Sequence, residues 1–334
     1  MELLRKASAL VSRPGQVLRH AKQGANELFR LVRTRRPGAI GSFIAAGATG
    51  RSPYDVYIRY LAGRTGGTVS REINGHEMVL NLEDGGLSRD LLVYGTREQR
   101  TIELFERALR RIDAMTAAPV TVLEIGANIG YYALAEARAV GPDGRVLAFE
   151  PDDRNVRYLE QNVRLNGYED RITIEPAAVG PESGTAELRL STHTNLNRIE
   201  SASTDGDRRD ADDSERVDVW SVEEYLTSRE IPAGSIHAVR MDLEGYEAEL
   251  VPAMESVLGA PGPLLVLVEM HPNILTTADT ERVLRTFDRH GFEIVAVVFE
   301  EITSKPLVAP RQYESFESLR SLSGGYNLLV RKGV

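Results

Sequence analysis

Residues Val120–Ala137 read VTVLEIGANIGYYALAEA. A short apolar run carrying one acid, Glu124, breaks into Gly126-Ala127-Asn128-Ile129-Gly130, and a helical pattern follows. Strand, glycine turn and helix in that order are the layout of a nucleotide-binding crevice in an open α/β sheet. Gly126 lets the chain turn sharply off the strand. Gly130 removes a side chain where the helix must approach the sheet or a ligand. The amides at the helix start are expected to face that ligand.

Downstream, strand-like runs fall at 145–150, 171–175, 237–242, 263–270, 292–299 and 326–331. Helical patterns occupy 129–139, 153–166, 221–228, 245–258 and 279–290. The alternation predicts a parallel sheet with helices on both faces. Thr185–Leu190 adds a strand, and the polar segment 191–218, which contains DGDRRDADDSE (205–215), is expected to be an exposed loop. Upstream, two strand-like runs flank Asn74-Gly75, a strong hairpin signal, and a helix is expected from Glu98 to Met115. Residues 67–118 thus form a lead-in to the core at 119–334, and residues 1–66 a separate basic helical extension.

The chain has 334 residues, 42% of them apolar, and no cysteine, which excludes disulfides, thiolate metal sites and a cysteine nucleophile. Nine Lys and Arg against two Glu give residues 1–36 a charge of +7 and leave −16 for the rest of a chain whose total is −9. An acidic body argues against nucleic acid as partner. Val17, Leu18, Ala21, Ala25, Leu28 and Val32 stand near helical spacing among the basic residues. This stretch is expected to pack on the body or a second subunit, with peripheral contact at the inner membrane face as its other use. No run approaches the roughly 18 apolar residues of a spanning helix. The segment after Arg35-Arg36 is too short for export, so a cytoplasmic protein is expected. The oligomeric state is not legible.

The turn departs from the G-x-G-x-x-G of nicotinamide and flavin enzymes, because Asn128 stands at the middle glycine. Glu124, two residues before the first glycine, is more typical of S-adenosylmethionine (SAM) sites, where it engages the amino-acid part. Glu150, 20 residues after Gly130 at the end of the next strand, can accept both ribose hydroxyls. The third strand ends Glu175-Pro176-Ala177-Ala178-Val179. It lacks an acid for the adenine, so backbone groups and apolar contact at Ala178 are expected to bind it.

The fourth strand ends Met241-Asp242-Leu243-Glu244-Gly245, with Glu247 suited to the dipole of the helix that follows. Asp242 and Glu244, two apart on extended chain, can point the same way. The fifth strand delivers Glu269 and His271 to the same sheet edge. His271 beside a carboxylate can take a proton from a hydroxyl near neutral pH. Asp242, Glu244, Glu269 and His271 also suit Mg²⁺ chemically, but the preferred reading contains no metal.

Taken in order, LEIGANIGYYALAEA, VLAFEPDDRNVRYLEQNVRLNG, AAVG, VRMDLEGYEAELV and LLVLVEMHP, with the lead-in GLSRDLLVYGTRE, resemble the FkbM family of SAM-dependent methyltransferases. The resemblance covers about Leu87 to His271. It implies a Rossmann-like α/β fold with the seven-stranded sheet of class I methyltransferases, and O-methylation of sugars or natural products. By motif, Glu124, Gly126, Asn128, Gly130 and Glu150 would bind SAM, and Asp242, Glu244, Glu269 and His271 would line the acceptor side. The expected reaction is methyl transfer to a hydroxyl of a small molecule, sugar, glycan or lipid-linked saccharide. His271 is then the base, oriented by Glu269, and Asp242 and Glu244 grip acceptor hydroxyls. RNA methylation on the same fold, a non-catalytic SAM- or nucleoside-binding module and an NAD dehydrogenase are the alternatives.

Overall fold

The computed structural model describes residues 53–189, 198–199, 214–299, 313 and 315–333. The basic stretch 1–36 and most of the acidic segment lie outside them.

The chain runs α1 (Pro53–Thr65), β1 (Thr68–Ile73), β2 (His76–Asn81), α2 (Leu87–Tyr94), α3 (Gln99–Met115), β3 (Thr121–Ile125), α4 (Tyr131–Ala139), β4 (Arg145–Phe149), α5 (Asp153–Leu165) and β5 (Ile172–Glu175). Then come β6 (Ala178–Gly180), β7 (Gly184–Arg189), β8 (Arg198–Ile199), β9 (Ser214–Ser221), α6 (Val222–Ser228), β10 (Ile236–Met241), α7 (Glu247–Ala253), α8 (Glu255–Leu258), β11 (Leu264–Met270), α9 (Thr277–Arg289), β12 (Glu293–Val298) and β13 (Tyr326–Lys332).

Seven strands form the central sheet in the order β12-β13-β11-β10-β3-β4-β5. β5, β4, β3, β10 and β11 are parallel, whereas β13 runs antiparallel to both its neighbours. The sheet is therefore mixed, not wholly parallel. The last strand, β13, is inserted between β12 and β11.

The strand bodies are apolar because both faces are covered, and successive residues feed opposite cores. Val122, Val146, Ala148 and Ala238 pack with α1 to α5 and the hairpin on one face. Leu123, Leu147, Phe149 and Val239 pack with α6 to α9 on the other. A second sheet, β6-β9-β7-β8, stands beside this frame. Its strand β9 begins at Ser214, inside the segment expected to be loop, because the polar SERV pairs across β7. The helix expected over 245–258 is broken at Met254, two residues after Pro252, which has no amide hydrogen to give.

The hairpin forms as expected, with Asn74 and Gly75 at φ +50° and +80°. The lead-in is fastened to the core by buried polar groups. Asn162, fully buried on α5, accepts from the Val79 amide at 2.7 Å and donates to the Ile129 carbonyl at 2.8 Å. The Tyr131 hydroxyl donates to the Arg97 carbonyl at 2.6 Å and accepts from Asn74 Nδ2 at 2.8 Å. Asn162→Ala is expected to cost about 2–3 kcal/mol, because it strands a buried amide. Urea unfolding measures it, and a loss below about 0.5 kcal/mol would remove the clamp from this role.

α1 also belongs to this body: Tyr57 and Leu61 are buried in the same core as the hairpin. The boundary expected at residue 66 therefore cuts through a packed unit. Among the described residues no helix is long and apolar enough to cross a membrane.

Candidate active site

Strand order reverses between β3 and β10, and a cleft of about 840 Å³, its open mouth included, lies at their carboxyl ends. Its lining includes Glu124, Gly126, Asn128, Glu150, Asp242 and Glu244. Gly126 has φ +84°, and a Cβ there would stand 2.9 Å from the Asp242 carbonyl oxygen. Gly130 has φ +94°, and its Cβ would meet Leu159 Cδ1 at 2.7 Å. Both positions require glycine by conformation and by space.

The amides of the turn are used within the protein. Gly126 and Ala127 donate to the Phe149 carbonyl at 3.0 and 2.9 Å, and Gly130 donates to the Ala127 carbonyl at 2.9 Å. Asn128 donates to Glu150 Oε2, and Ile129 to the Asn128 side chain, each at 2.8 Å. The amides of the turn are thus taken by protein acceptors; those expected to face a ligand belong to the helix start, which follows at Tyr131. Glu150, 5% exposed, accepts further bonds on Oε1 from the Asp152 amide at 3.0 Å and Asn155 at 3.2 Å. Burial pushes its carboxyl up to about 7, against the pull of these donors.

The acceptor side gathers Asp242, Glu244, Glu269 and His271. His271 Nε2 is 3.6 Å from both Glu244 Oε2 and Glu269 Oε1. The orienting partner differs from expectation: His271 Nδ1 bonds Glu247 Oε1 at 2.6 Å, and Glu247 is fully buried. Glu247 is thus a ring-positioning group and not only a dipole partner. Burial alone would lower the His271 pKa, but the hydrogen bond and charge of Glu247, with Asp242 and Glu269, raise it to about 9. Held above the usual histidine range, the free ring favours its doubly protonated form near neutral pH, in which it donates rather than accepts a proton. Burial, then Asp242 and Glu98, push Glu269 up to about 9. Burial would raise Asp242 as well, but Arg240, His271 and Arg97 outweigh it and hold that carboxyl below the usual range.

The sequence profile of the FkbM methyltransferase domain matches residues 124–294, just over half of the chain. The chain belongs to the FkbM methyltransferase family. Over 78 residues it is 36% identical to the Transmembrane O-methyltransferase homolog of Rattus norvegicus, covering 23% of this chain and 30% of that protein. Over 55 residues it is 42% identical to the Transmembrane O-methyltransferase of Homo sapiens, covering 16% of this chain and 19% of that one. The chain thus spans less than a third of the length of either relative. Similar solved structures include a SAM-dependent O-methyltransferase from Thermotoga maritima, at 14% identity and TM-score 0.37, covering 72% of this chain and 67% of that one. Another is P. horikoshii TYW2 in complex with MeSAdo, at 14% identity and TM-score 0.43, covering 89% and 84%.

Beneath the turn of this FkbM methyltransferase lies a charged centre that the sequence analysis missed. Arg240 on β10 stands in register with Glu124 on β3. Its Nη1 donates to Glu124 Oε1 at 3.1 Å and the Gly126 carbonyl at 3.4 Å, and Nη2 to Asp242 Oδ2 at 3.2 Å. The guanidinium lies 4.1 Å from the Tyr132 ring centroid. Two opposite charges inside neighbouring apolar strands, TVLEI and IHAVRM, were the available signal. Glu124 lines the cleft floor, but its carboxylate is fully covered and turned to Arg240.

Ala178 is not brought to the cleft. It pairs with β9 and is buried beside Leu188 and Val217. Leu188 reaches the cleft in its place, as do Arg97, Glu98 and Tyr132 from the lead-in and α4.

Glu124 and Glu136 form a buried carboxyl pair. Glu124 Oε2 and both Glu136 oxygens lie buried with no N–H or O–H donor from outside the pair, and burial favours a proton on it. Burial raises Glu124 to about 7 and Glu136 well above its ordinary value, the latter helped by the charge of Glu124. An unfolded chain releases these protons in the ordinary carboxylate range near 4.3. From there to about 7 the folded state holds the extra proton, so stability falls as pH rises through that window. Glu136→Gln supplies an N–H donor instead. Its melting temperature is expected to decline less between pH 5 and 8, with a gain of about 1–2 kcal/mol at pH 8. Identical slopes for the two proteins would contradict the pair.

Proposed function

We propose that this protein transfers a methyl group from SAM to a hydroxyl oxygen of a sugar or glycan. The observation that carries the reading is the commitment of the amides from Gly126 to Gly130 to protein acceptors. A dinucleotide's pyrophosphate draws on the amides of such a turn as well as on those of the helix start. A turn that holds its ligand by shape, with a carboxylate at Glu150, suits a nucleoside without phosphate.

The residues present fit SAM on these grounds: the Cβ-free cradle at Gly126 and Gly130, and the Glu150 carboxylate at the cleft lining for ribose hydroxyls. When bound, SAM supplies an electrophilic methyl group. The protein's part is to align a hydroxyl with it and to accept the proton. Asp242 and Glu244 accept hydrogen bonds from acceptor hydroxyls. Asp242 Oδ1 is buried and meets no N–H or O–H donor outside the acid cluster, so it is placed to accept a hydrogen bond from the acceptor hydroxyl. This concentration of carboxylates repels a polyanion, which counts against RNA as acceptor.

Radiolabelled SAM, the full-length protein and parallel pools of glycans and RNA test the proposal. Label is expected in the glycan pool, with a gain of about 14 Da per site, the mass of one methylene, as the free-hydroxyl products of mild acid hydrolysis disappear. Label confined to RNA would replace the acceptor class. SAM binding without turnover on either pool would turn the reading to a binding module.

A further inference from the structure

Resting on the methyl-transfer reading, we propose that Asp242, Glu269 and His271 bind a divalent cation of the Mn²⁺ and Mg²⁺ class, which holds the acceptor hydroxyl in the cleft. The sequence reading left this metal out, and the assembled geometry brings it back.

Each of the three residues offers one donor atom, and the three atoms lie within 4.8 Å of one another. His271 Nε2 and Glu269 Oε1 are 3.6 Å apart. Two donors each about 2.1 Å from one ion are separated by about 3.0 Å at right angles and about 4.2 Å when opposite. The observed spacing falls between those limits, so an ion needs only small side-chain adjustments.

His271 supplies an observation independent of the carboxylates. Its side chain is 8% exposed, and Nδ1 is fixed by Glu247 Oε1 at 2.6 Å. That bond turns Nε2 into the cluster, where the carboxylate oxygens at 3.6 Å lie beyond hydrogen-bond reach. A histidine that gives one ring N–H to a buried carboxylate and aims the other nitrogen at acids has the outer-shell support of a metal ligand. Asp242 Oδ1 and Glu269 Oε2 are buried and meet no N–H or O–H donor from outside the acid cluster. Arg240 takes only the other Asp242 oxygen, at 3.2 Å, and so fixes the carboxylate without covering it.

The donor set selects the ion class. With their protons displaced by the ion, two carboxylates match a double positive charge, and carboxylate-rich sites suit Mg²⁺ and Mn²⁺, which keep several coordination positions for water or substrate. Those positions are what a sugar presenting neighbouring hydroxyls would occupy. The cation would also make a coordinated hydroxyl more acidic.

Full-length protein freed of metal with EDTA is titrated with Mn²⁺, and free Mn²⁺ is followed by electron paramagnetic resonance. SAM binding is measured by calorimetry on the same preparations. Wild type is expected to bind one Mn²⁺. Glu269→Gln and His271→Gln should each weaken it about 100-fold or more, and Glu247→Gln about 10–100-fold. Glu160→Gln, on the exposed face of α5, should leave it unchanged. Thermal melts check that each variant folds, and the two ligand variants back one another. Mn²⁺ held as tightly by both ligand variants as by wild type, or not held by wild type, overturns the site. SAM binding retained in that case leaves the methyl-transfer reading standing. Mn²⁺ binding as expected with no SAM binding sinks that reading and keeps the site.

Discussion

Gly126→Val is expected to lose SAM affinity by about three orders of magnitude or more. Two independent costs add. At φ +84° the backbone lies in the left-handed region, which a β-branched residue enters at a cost of a few kcal/mol. The new Cβ would also stand 2.9 Å from the Asp242 carbonyl oxygen, a backbone atom that can move only if β10 moves with it. A loss of about 4 kcal/mol is a factor of about 10³ in binding. Calorimetric titration with SAM measures the effect, and a melt separates it from unfolding. The fold's remaining contacts are distant, so the variant should stay folded with a lowered melting temperature. Affinity within tenfold of wild type would mean that the turn is not the cofactor cradle.

Arg240→Ala is expected to destabilise the protein by about 3–5 kcal/mol, the usual result of removing one partner from a buried ion pair. Here one guanidinium, 7% exposed, serves both Glu124 and Asp242 and also covers Tyr132. Its removal leaves the buried Glu124 without a counter-charge and Asp242 with only His271 and Arg97. Arg240→Lys should recover only part of the loss, because one ammonium cannot span three acceptors on two strands. Arg240→Met combined with Glu124→Gln should recover more than Lys does, since it also removes a stranded charge. Urea midpoints at fixed pH give the comparison, and a single variant within 1 kcal/mol of wild type would show that the centre is already neutral without Arg240.

Much of this was legible in the sequence wherever the signal was local. Asn74-Gly75 fixes a turn by its own φ requirement, and Gly126 and Gly130 mark the crevice for the same reason. Asp242, Glu269 and His271 could be brought together on paper because parallel strands deliver their carboxyl ends to one edge. What was hidden depends on pairings between distant segments. Arg240 gains its partner Glu124 only when β10 is seated beside β3. Glu247 looked like a helix-start acid, and only the crossing of α7 below His271 gave it a partner. Ala178 was assigned by its place after the third strand, but the three residues of β6 leave the main sheet to pair with β9. β13 enters antiparallel because its neighbours, not its own residues, decide its direction.

The register of Arg240 with Glu124 also bears on how the protein is made. The two residues are 116 apart in the chain. At about 5–20 residues per second, the ribosome delivers the arginine roughly ten seconds after the acid. During that interval the amino-terminal half carries two acids at its centre and an open strand edge, with no cation to settle them. The charged centre is therefore completed only once β10 is made and paired with β3.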